Sequence, residues 1–227
     1  AWGIHHFILA EKGYQNELSF PGSKVTVLEN KYAPLPTEAL IPTAPEKIRL
    51  LLTGTISYDY GVFSAIDVVT RLHSLLPNIQ LTILGHIAHP PTYEAIKSAC
   101  EGHTCIDLQV SAQPIAHQKV IAFMKSCDWL MLPYLPNKST ENCIPAKIYE
   151  ALALQIPMLI STNPLWDNII KEAQAGVSID FSEHDVEHLL AEILINPGQY
   201  YQSPSKIDPF WSSEEGKFVE LIEKSMV

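Results

Sequence analysis

The stretch IRLLLTGTISYDYGVFSAIDVVTRLHSLLPNIQLTILG, residues 48–85, decides the fold. It opens and closes on apolar runs, 48–54 and 79–85, that are nearly continuous rather than alternating. Runs of that kind are strands buried on both faces of a parallel sheet. Between them Phe63, Ile66, Val69 and Leu72 recur at helical spacing. A strand, a helix and a second strand make one right-handed crossover unit.

The same alternation continues outward. The apolar runs IDLQVS (106–111), WLMLPY (129–134), PMLIS (157–161) and GVSID (176–180) follow, separated by TYEAIKSACEG, AHQKVIAFMKSC, PAKIYEALALQ and WDNIIKEAQAG. In AHQKVIAFMKSC, Val120, Ile121, Phe123 and Met124 again fall at helical spacing. The pattern predicts an α/β fold, a Rossmann-like doubly wound parallel sheet over residues 47–205. The flanks read differently. KGYQNEL (12–18) as a helix and KVTVLEN (24–30) as a strand are the last piece of another α/β unit, residues 1–31. Residues 32–46, YAPLPTEALIPTAPE, hold four prolines without periodicity and read as a linker. Residues 206–227 carry a closing amphipathic helix, SEEGKFVELIEKSMV. Because the chain opens on Ala1 as though in mid-structure, an excised part of a larger protein is expected.

Composition narrows the function classes. The 227 residues are 47% hydrophobic and 18% charged, enough apolar surface for a sizeable core. A formal charge of −10 argues against a general nucleic-acid binder, although a single basic pocket is compatible with it. Cys100, Cys105, Cys127 and Cys143 form neither a C-x-x-C pair nor a zinc spacing, which reads as reduced thiols in a cytoplasmic protein. Asn137-Lys138-Ser139 fits a glycosylation sequon, but nothing else in the chain looks secreted. No apolar run has the roughly 18 residues of a membrane span. His86 and His89 lack a third ligand in view, so no metal is expected, and His5 and His6 read as structural. No G-x-S-x-G elbow anchors hydrolase chemistry.

In an open α/β sheet, ligands meet the carboxyl ends of the strands. Three such ends stand out. At 53–61, TGTISYDYG, Gly54 permits close backbone approach and Thr55 follows it, without a G-x-G-x-x-G or P-loop signature. At 111–117, SAQPIAH, Pro114 and Ile115 form an apolar ledge. At 141–161, ENCIPAKIYEALALQIPMLIS, a helix starts near Asn142 to Pro145, with Asn142 as a favoured cap. Its unpaired N–H groups and dipole suit an anion. Lys147 is mildly unfavourable there in an empty helix and favourable with a diphosphate at the tip. Glu150, one turn on, could accept hydrogen bonds from a ribose diol. A plain Lys147–Glu150 ion pair at i,i+3 explains the same residues, and both readings stand at this point.

The segment CDWLMLPYLPNKSTENCIPAKIYEALALQIPMLIS resembles the donor-site block of GT-B glycosyltransferases of family 4, glycosyl transferase group 1. Pro133, Pro145, Lys147, Glu150, Ala151, Leu152, Ala153 and Pro157 carry the likeness. LLLTGTISYDYGVFSAIDVV, IQLTILG and KVTVLENKYAP are similar to further parts of the same family. The resemblance implies the C-terminal, donor-binding domain of a GT-B fold. It also implies a retaining, metal-independent glycosyltransferase that moves a sugar from a nucleoside-diphosphate sugar to a polysaccharide or glycolipid acceptor, without a cofactor. The implied donor-binding residues are Gly54, Thr55, Ile115, Asn142, Cys143, Ile144, Lys147 and Glu150, with Glu150 as the second of two glutamates seven residues apart. The first should stand at 142, where Asn142 is found and Glu141 is one place off. Thr55 and Tyr60 occupy places where many members carry Arg and Lys. The implied partners are the nucleotide sugar and an N-terminal acceptor half lying before residue 1, with no nucleic acid. The chain alone is expected to bind donor without turnover. The expected location is the cytoplasm, with peripheral association at the inner face of the membrane as the variant for the full-length enzyme. The alternative is a GT-B-derived module that has lost catalysis and serves in binding or assembly.

Overall fold

The computed structural model describes residues 6–16, 24–36, 46–183 and 186–225. His5, most of the Pro-rich segment (37–45) and the end of KGYQNEL lie outside the described residues. Six parallel strands form the main sheet: β3 (Ile48–Thr55), β4 (Ile79–His86), β5 (Ile106–Ser111), β6 (Trp129–Leu132), β7 (Met158–Ser161) and β8 (Gly176–Ile179). Their order is β5-β4-β3-β6-β7-β8, so the sheet grows one way from β3 and then the other way from β6. That is the doubly wound arrangement, and its switch point lies between β3 and β6. Before it, β1 (Phe7–Leu9) and β2 (Val25–Val27) form a separate parallel pair in which His6 shares a hydrogen bond with Thr26.

Helices cover both faces. α1 (Val62–Leu72), α2 (Pro90–Cys100) and α7 (Glu187–Leu194) pack on one; α3 (His117–Met124), α5 (Ala146–Leu154) and α6 (Pro164–Ala173) pack on the other. The strand residues divide by their two-residue period: Leu50, Leu52, Trp129 and Met131 enter the first core, while Leu51, Leu130 and Leu132 enter the second. Each buried aliphatic side chain of this kind contributes about 1.5–3 kcal/mol relative to exposure. The two cores therefore fix the strand order and the position of the switch point.

The strand ends follow local chemistry. β6 stops at Leu132 because Pro133 has no N–H for the ladder. Asn163 caps α6, its side-chain oxygen accepting from Leu165 and Trp166, with Pro164 in the first turn. At α5 the expected cap is different from the observed one. A short helical turn, α4 (Lys138–Glu141), takes up the chain before it, so Asn142 falls in the connecting loop and Pro145 occupies the cap position without a side-chain hydrogen bond.

The flanks join through polar contacts. α8 (Ser212–Ser225) brings Glu214 to Lys31 at 3.0 Å and to the Glu29 N–H at 3.3 Å. Tyr32 donates its N–H to Pro209 and accepts from Trp211. Glu29 in turn accepts a hydrogen bond from the Tyr149 hydroxyl on α5 at 3.0 Å.

Candidate functional site

A cleft of about 400 Å³ opens at the switch point. Its floor is the end of β3 and β4, where Gly54 and Gly85 are register partners. Gly54 has φ +118°, a conformation other residues rarely adopt, and a Cβ on Gly85 would lie 2.1 Å from the Gly54 carbonyl oxygen. The floor is therefore bare peptide. One wall is the β5–α3 link, with Pro114, Ile115 and His117; another is the start of α5, with Cys143, Pro145 and Lys147. Tyr60 and Tyr134 close the back with ring centroids 4.8 Å apart.

Glu150 is 6% exposed and stands behind two lining residues. Its Oε1 accepts from His117 Nε2 at 3.0 Å, and the Lys147 ammonium lies 2.8 Å from Oε2. Oε2 nonetheless accepts no hydrogen bond among the described residues, the lysine pairing with it as an ion off the hydrogen-bond line. Thr53 Oγ1, buried in the cleft lining, is also without a hydrogen-bond partner among them. Buried polar atoms are normally satisfied; Oε2 has the Lys147 ammonium, and Thr53 Oγ1 is the buried atom that a polar ligand in the cleft would meet. Lys147 passes over Gly54, its Cε 3.9 Å from where a Cβ would stand.

The loop before α5 is held from both sides. The Cys143 carbonyl accepts from Trp166 Nε1 at 2.7 Å. On the other side, the Ile144 N–H donates to the Glu11 carboxylate, and Gly13 lies against the Asn142 backbone. Burial pushes the Glu11 carboxyl up to about 7; the Ile144 N–H opposes the rise and the nearby Glu29 charge adds to it.

Among the described residues, the cleft lining thus includes Gly54, Thr55, Ile115, Cys143 and Lys147, with Glu150 directly behind. Asn142 and Ile144 are outside that lining and lie against the first segment of the chain. Sequence reasoning missed His117, Tyr134 and Glu11. His117 and Glu150 are 33 positions apart, and only the crossover of strands brings them together. Of the two histidines considered for metal, His86 lines the cleft while His89 shares a hydrogen bond with Thr92 before α2. Among the described residues no three His, Cys, Asp or Glu side chains converge as ligands.

Comparison with protein families matches the model described as Glycosyl transferases group 1 over residues 41–207. Comparison with curated proteins finds no match. Among solved structures, the chain is similar to HepE from Anabaena in complex with UDP and glucose, with TM-score 0.67, 11% identity, and 97% of this chain and 63% of that chain covered. The HepE complex with UDP-glucose gives TM-score 0.69 at 11% identity, covering 97% and 64%. WaaG, a glycosyltransferase involved in lipopolysaccharide biosynthesis, gives TM-score 0.60 at 18% identity, covering 83% and 53%. The chain spans less than two thirds of the length of these structures. At such identities the likeness establishes the fold, the Rossmann-like domain of GT-B glycosyltransferases. With the family model spanning the whole six-stranded sheet, the protein belongs to the glycosyl transferases group 1 family.

Proposed function

We propose that this chain is the nucleotide-sugar-binding part of a retaining glycosyltransferase that acts on a polysaccharide or glycolipid acceptor. The observation that carries the reading is the buried Glu150 carboxylate, held between Lys147 and His117 at the switch-point cleft beside the start of α5. The proposed donor is of the kind named in the HepE complexes, a uridine nucleotide or its sugar. The ribose diol donates to Glu150, and the diphosphate lies over the Gly54–Gly85 floor against Lys147. The free N–H groups of the first turn of α5 then face the phosphate oxygens. As the sugar leaves, negative charge grows on the diphosphate, and these groups stabilise it without covalent chemistry. Residues 47–205 carry this donor site, residues 1–31 belong with an acceptor-binding half, and 32–46 link the two. The proposed location of the full-length enzyme is the cytoplasm, with peripheral association at the inner face of the membrane as the variant, which a polysaccharide or glycolipid acceptor would suit.

One feature favours a second reading, a binding module without catalysis: Thr55 and Tyr60 offer the diphosphate hydroxyls and no fixed charge. Calorimetric titration with UDP, GDP and ADP tests the donor reading. Glu150→Ala is expected to weaken the nucleotide that binds by about 10- to 100-fold, the loss of hydrogen bonds to a charged group worth about 1.5–3 kcal/mol. An unchanged affinity, or no binding tighter than millimolar by any of the three, overturns it. Donor hydrolysis by the full-length protein then decides between the two readings.

A further inference from the structure

We infer that His86 and His117 are donor-binding residues, supplying the positive charge that the diphosphate of a nucleotide sugar meets in this cleft. The inference rests on the donor reading above and adds to it the groups that hold the phosphates.

The argument is one of charge. The diphosphate of a nucleotide sugar brings two negative charges into a protein whose formal charge is −10. Among the described residues lining the cleft, Lys147 is the one permanently charged cation. It is already neutralised by Glu150 at 2.8 Å. With His117 neutral, the Lys147–Glu150–His117 set therefore carries no net charge. Protonation of His117 makes the set positive and leaves Lys147 electrostatically free to face phosphate. His86 adds a second site for charge in the same lining: it ends β4 in register with Thr55, while Lys147 lies over the neighbouring Gly54.

The geometry lets both histidines act. The His117 side chain is 43% exposed, so it is free to turn from Glu150 Oε1 toward the cleft, vacating that oxygen for a ribose hydroxyl. His86 is half-buried and faces the same space. The other ionisable groups there are Lys147 and Glu150 from α5, Tyr60 before α1, Tyr134 after β6, Cys143 before α5, Lys119 on the His117 helix, Tyr32 near Glu150, and Glu11, whose carboxyl, raised to about 7, meets the Ile144 N–H behind the α5 wall. Burial first, then the neighbouring Tyr60, Cys143 and Glu150, pushes the Tyr134 hydroxyl up; burial also raises the Cys143 thiol, with Glu11 adding to it. These two groups add no negative charge near neutral pH. Histidine is the side chain whose ordinary charge change falls between about pH 5 and 8.

The test is calorimetric titration of UDP-glucose, GDP-glucose and ADP-glucose at pH 5.5, 7 and 8.5 (about the span of the histidine transition). The diphosphate of such probes is esterified at both ends and keeps its charge over that range, so any pH dependence belongs to the protein. Affinity of the wild type is expected to rise about tenfold toward the acid end, a factor that corresponds to one unit of linked proton affinity. Binding should also take up protons, read from the dependence of the heat on buffer ionisation. The double variant His86→Gln, His117→Gln, made together with Glu11→Gln because the Glu11 carboxyl behind the cleft wall also titrates near 7, should bind with no pH dependence. His86→Lys should bind more tightly than the wild type at pH 8.5 and show a smaller pH dependence, since one of the two charges is then permanent; a purely structural role would not produce that gain. Unfolding midpoints of all variants check that the fold is intact, and His86→Lys keeps the test open should the double variant not fold. Binding that is flat in pH for the wild type, or a pH dependence that survives in the double variant, overturns this inference and leaves the donor reading standing. No binding of any probe at any pH overturns the donor reading itself.

Discussion

The sheet and the seam that ties the flanks to it are built on different chemistry. The sheet is held by two apolar cores in which Trp129, Leu50, Leu81, Met131 and their neighbours are fully or almost fully buried. The seam between residues 24–32, α5 and α8 is held by ion pairs and hydrogen bonds, with Lys31 between Glu29 and Glu214 and Tyr149 on Glu29. Apolar burial is indifferent to pH and only weakly dependent on salt, whereas ion pairs respond to both. The sheet thus sets where the switch point is, and the seam sets how firmly α5 is held from behind. Glu150 and Tyr149 are adjacent on α5, one turned to the cleft and one to the seam.

Breaking each region in turn measures the contrast. The largest effect is expected for Trp129→Ala. Its indole is buried, donates to the Leu194 carbonyl at 3.1 Å and meets Tyr200 edge-on. Removing it should cost about 3–5 kcal/mol in urea unfolding, equally at low and high salt. Glu214→Ala comes next, at roughly 1–3 kcal/mol, because Lys31 loses one of its two carboxylates and the Glu29 N–H loses its acceptor. Burial raises the Glu214 carboxyl, but the hydrogen bonds from Lys217, Lys31 and the Glu29 N–H outweigh that and hold it low. Its contribution is therefore present above the ordinary value of 4.5 and lost as pH falls through the folded value, so the variant and the wild type should converge in acid.

Glu11→Gln reverses the sign. The wild-type carboxyl is raised from 4.5 to about 7, so the folded state holds a proton that the unfolded state has released. Wild-type stability should fall as pH rises between those values, and Gln, which stays neutral and still accepts from Ile144, should escape the loss. A gain of about 1–2 kcal/mol at pH 8, after allowing for solvent screening, and little gain near pH 4.5 is expected in thermal unfolding. The smallest effect belongs to Lys224→Ala. Its pairing with Glu220 lies on the exposed face of α8, and the unfolding midpoint should not move. A large shift there would mean that α8 packs against something in solution.

Much of the fold is written in local pattern, and the site only in part. Each apolar run became a strand of the main sheet because continuous burial on two faces needs no partner to be recognised. α7 follows the last strand, so the alternation does not demand it, although Leu190 and Leu194 carry its helical spacing. Asn142 was expected as a cap because its residue type suits one; α4 uses the preceding residues and moves the cap to Pro145. The residue types alone are compatible with either a Lys147–Glu150 pair or a ribose contact at Glu150, and in the fold the pair forms. His117 was invisible because its importance is a contact between α3 and α5 across the sheet end. Glu11 was invisible for the same reason, its burial being created by a loop 133 residues away (from 11 to 144).

The bare peptide beneath the cleft has a consequence for redesign. A side chain at Gly85 would strike the neighbouring backbone, and one at Gly54 would need a strained dihedral under Lys147. The floor therefore admits no alternative chemistry, and libraries aimed at a new donor should leave both positions fixed. Variation belongs on the wall at Pro114 and Ile115, which line the cleft from the β5–α3 link, away from the groups that hold the phosphates. The scaffold separates a part that can only be kept from a part that is free to diversify.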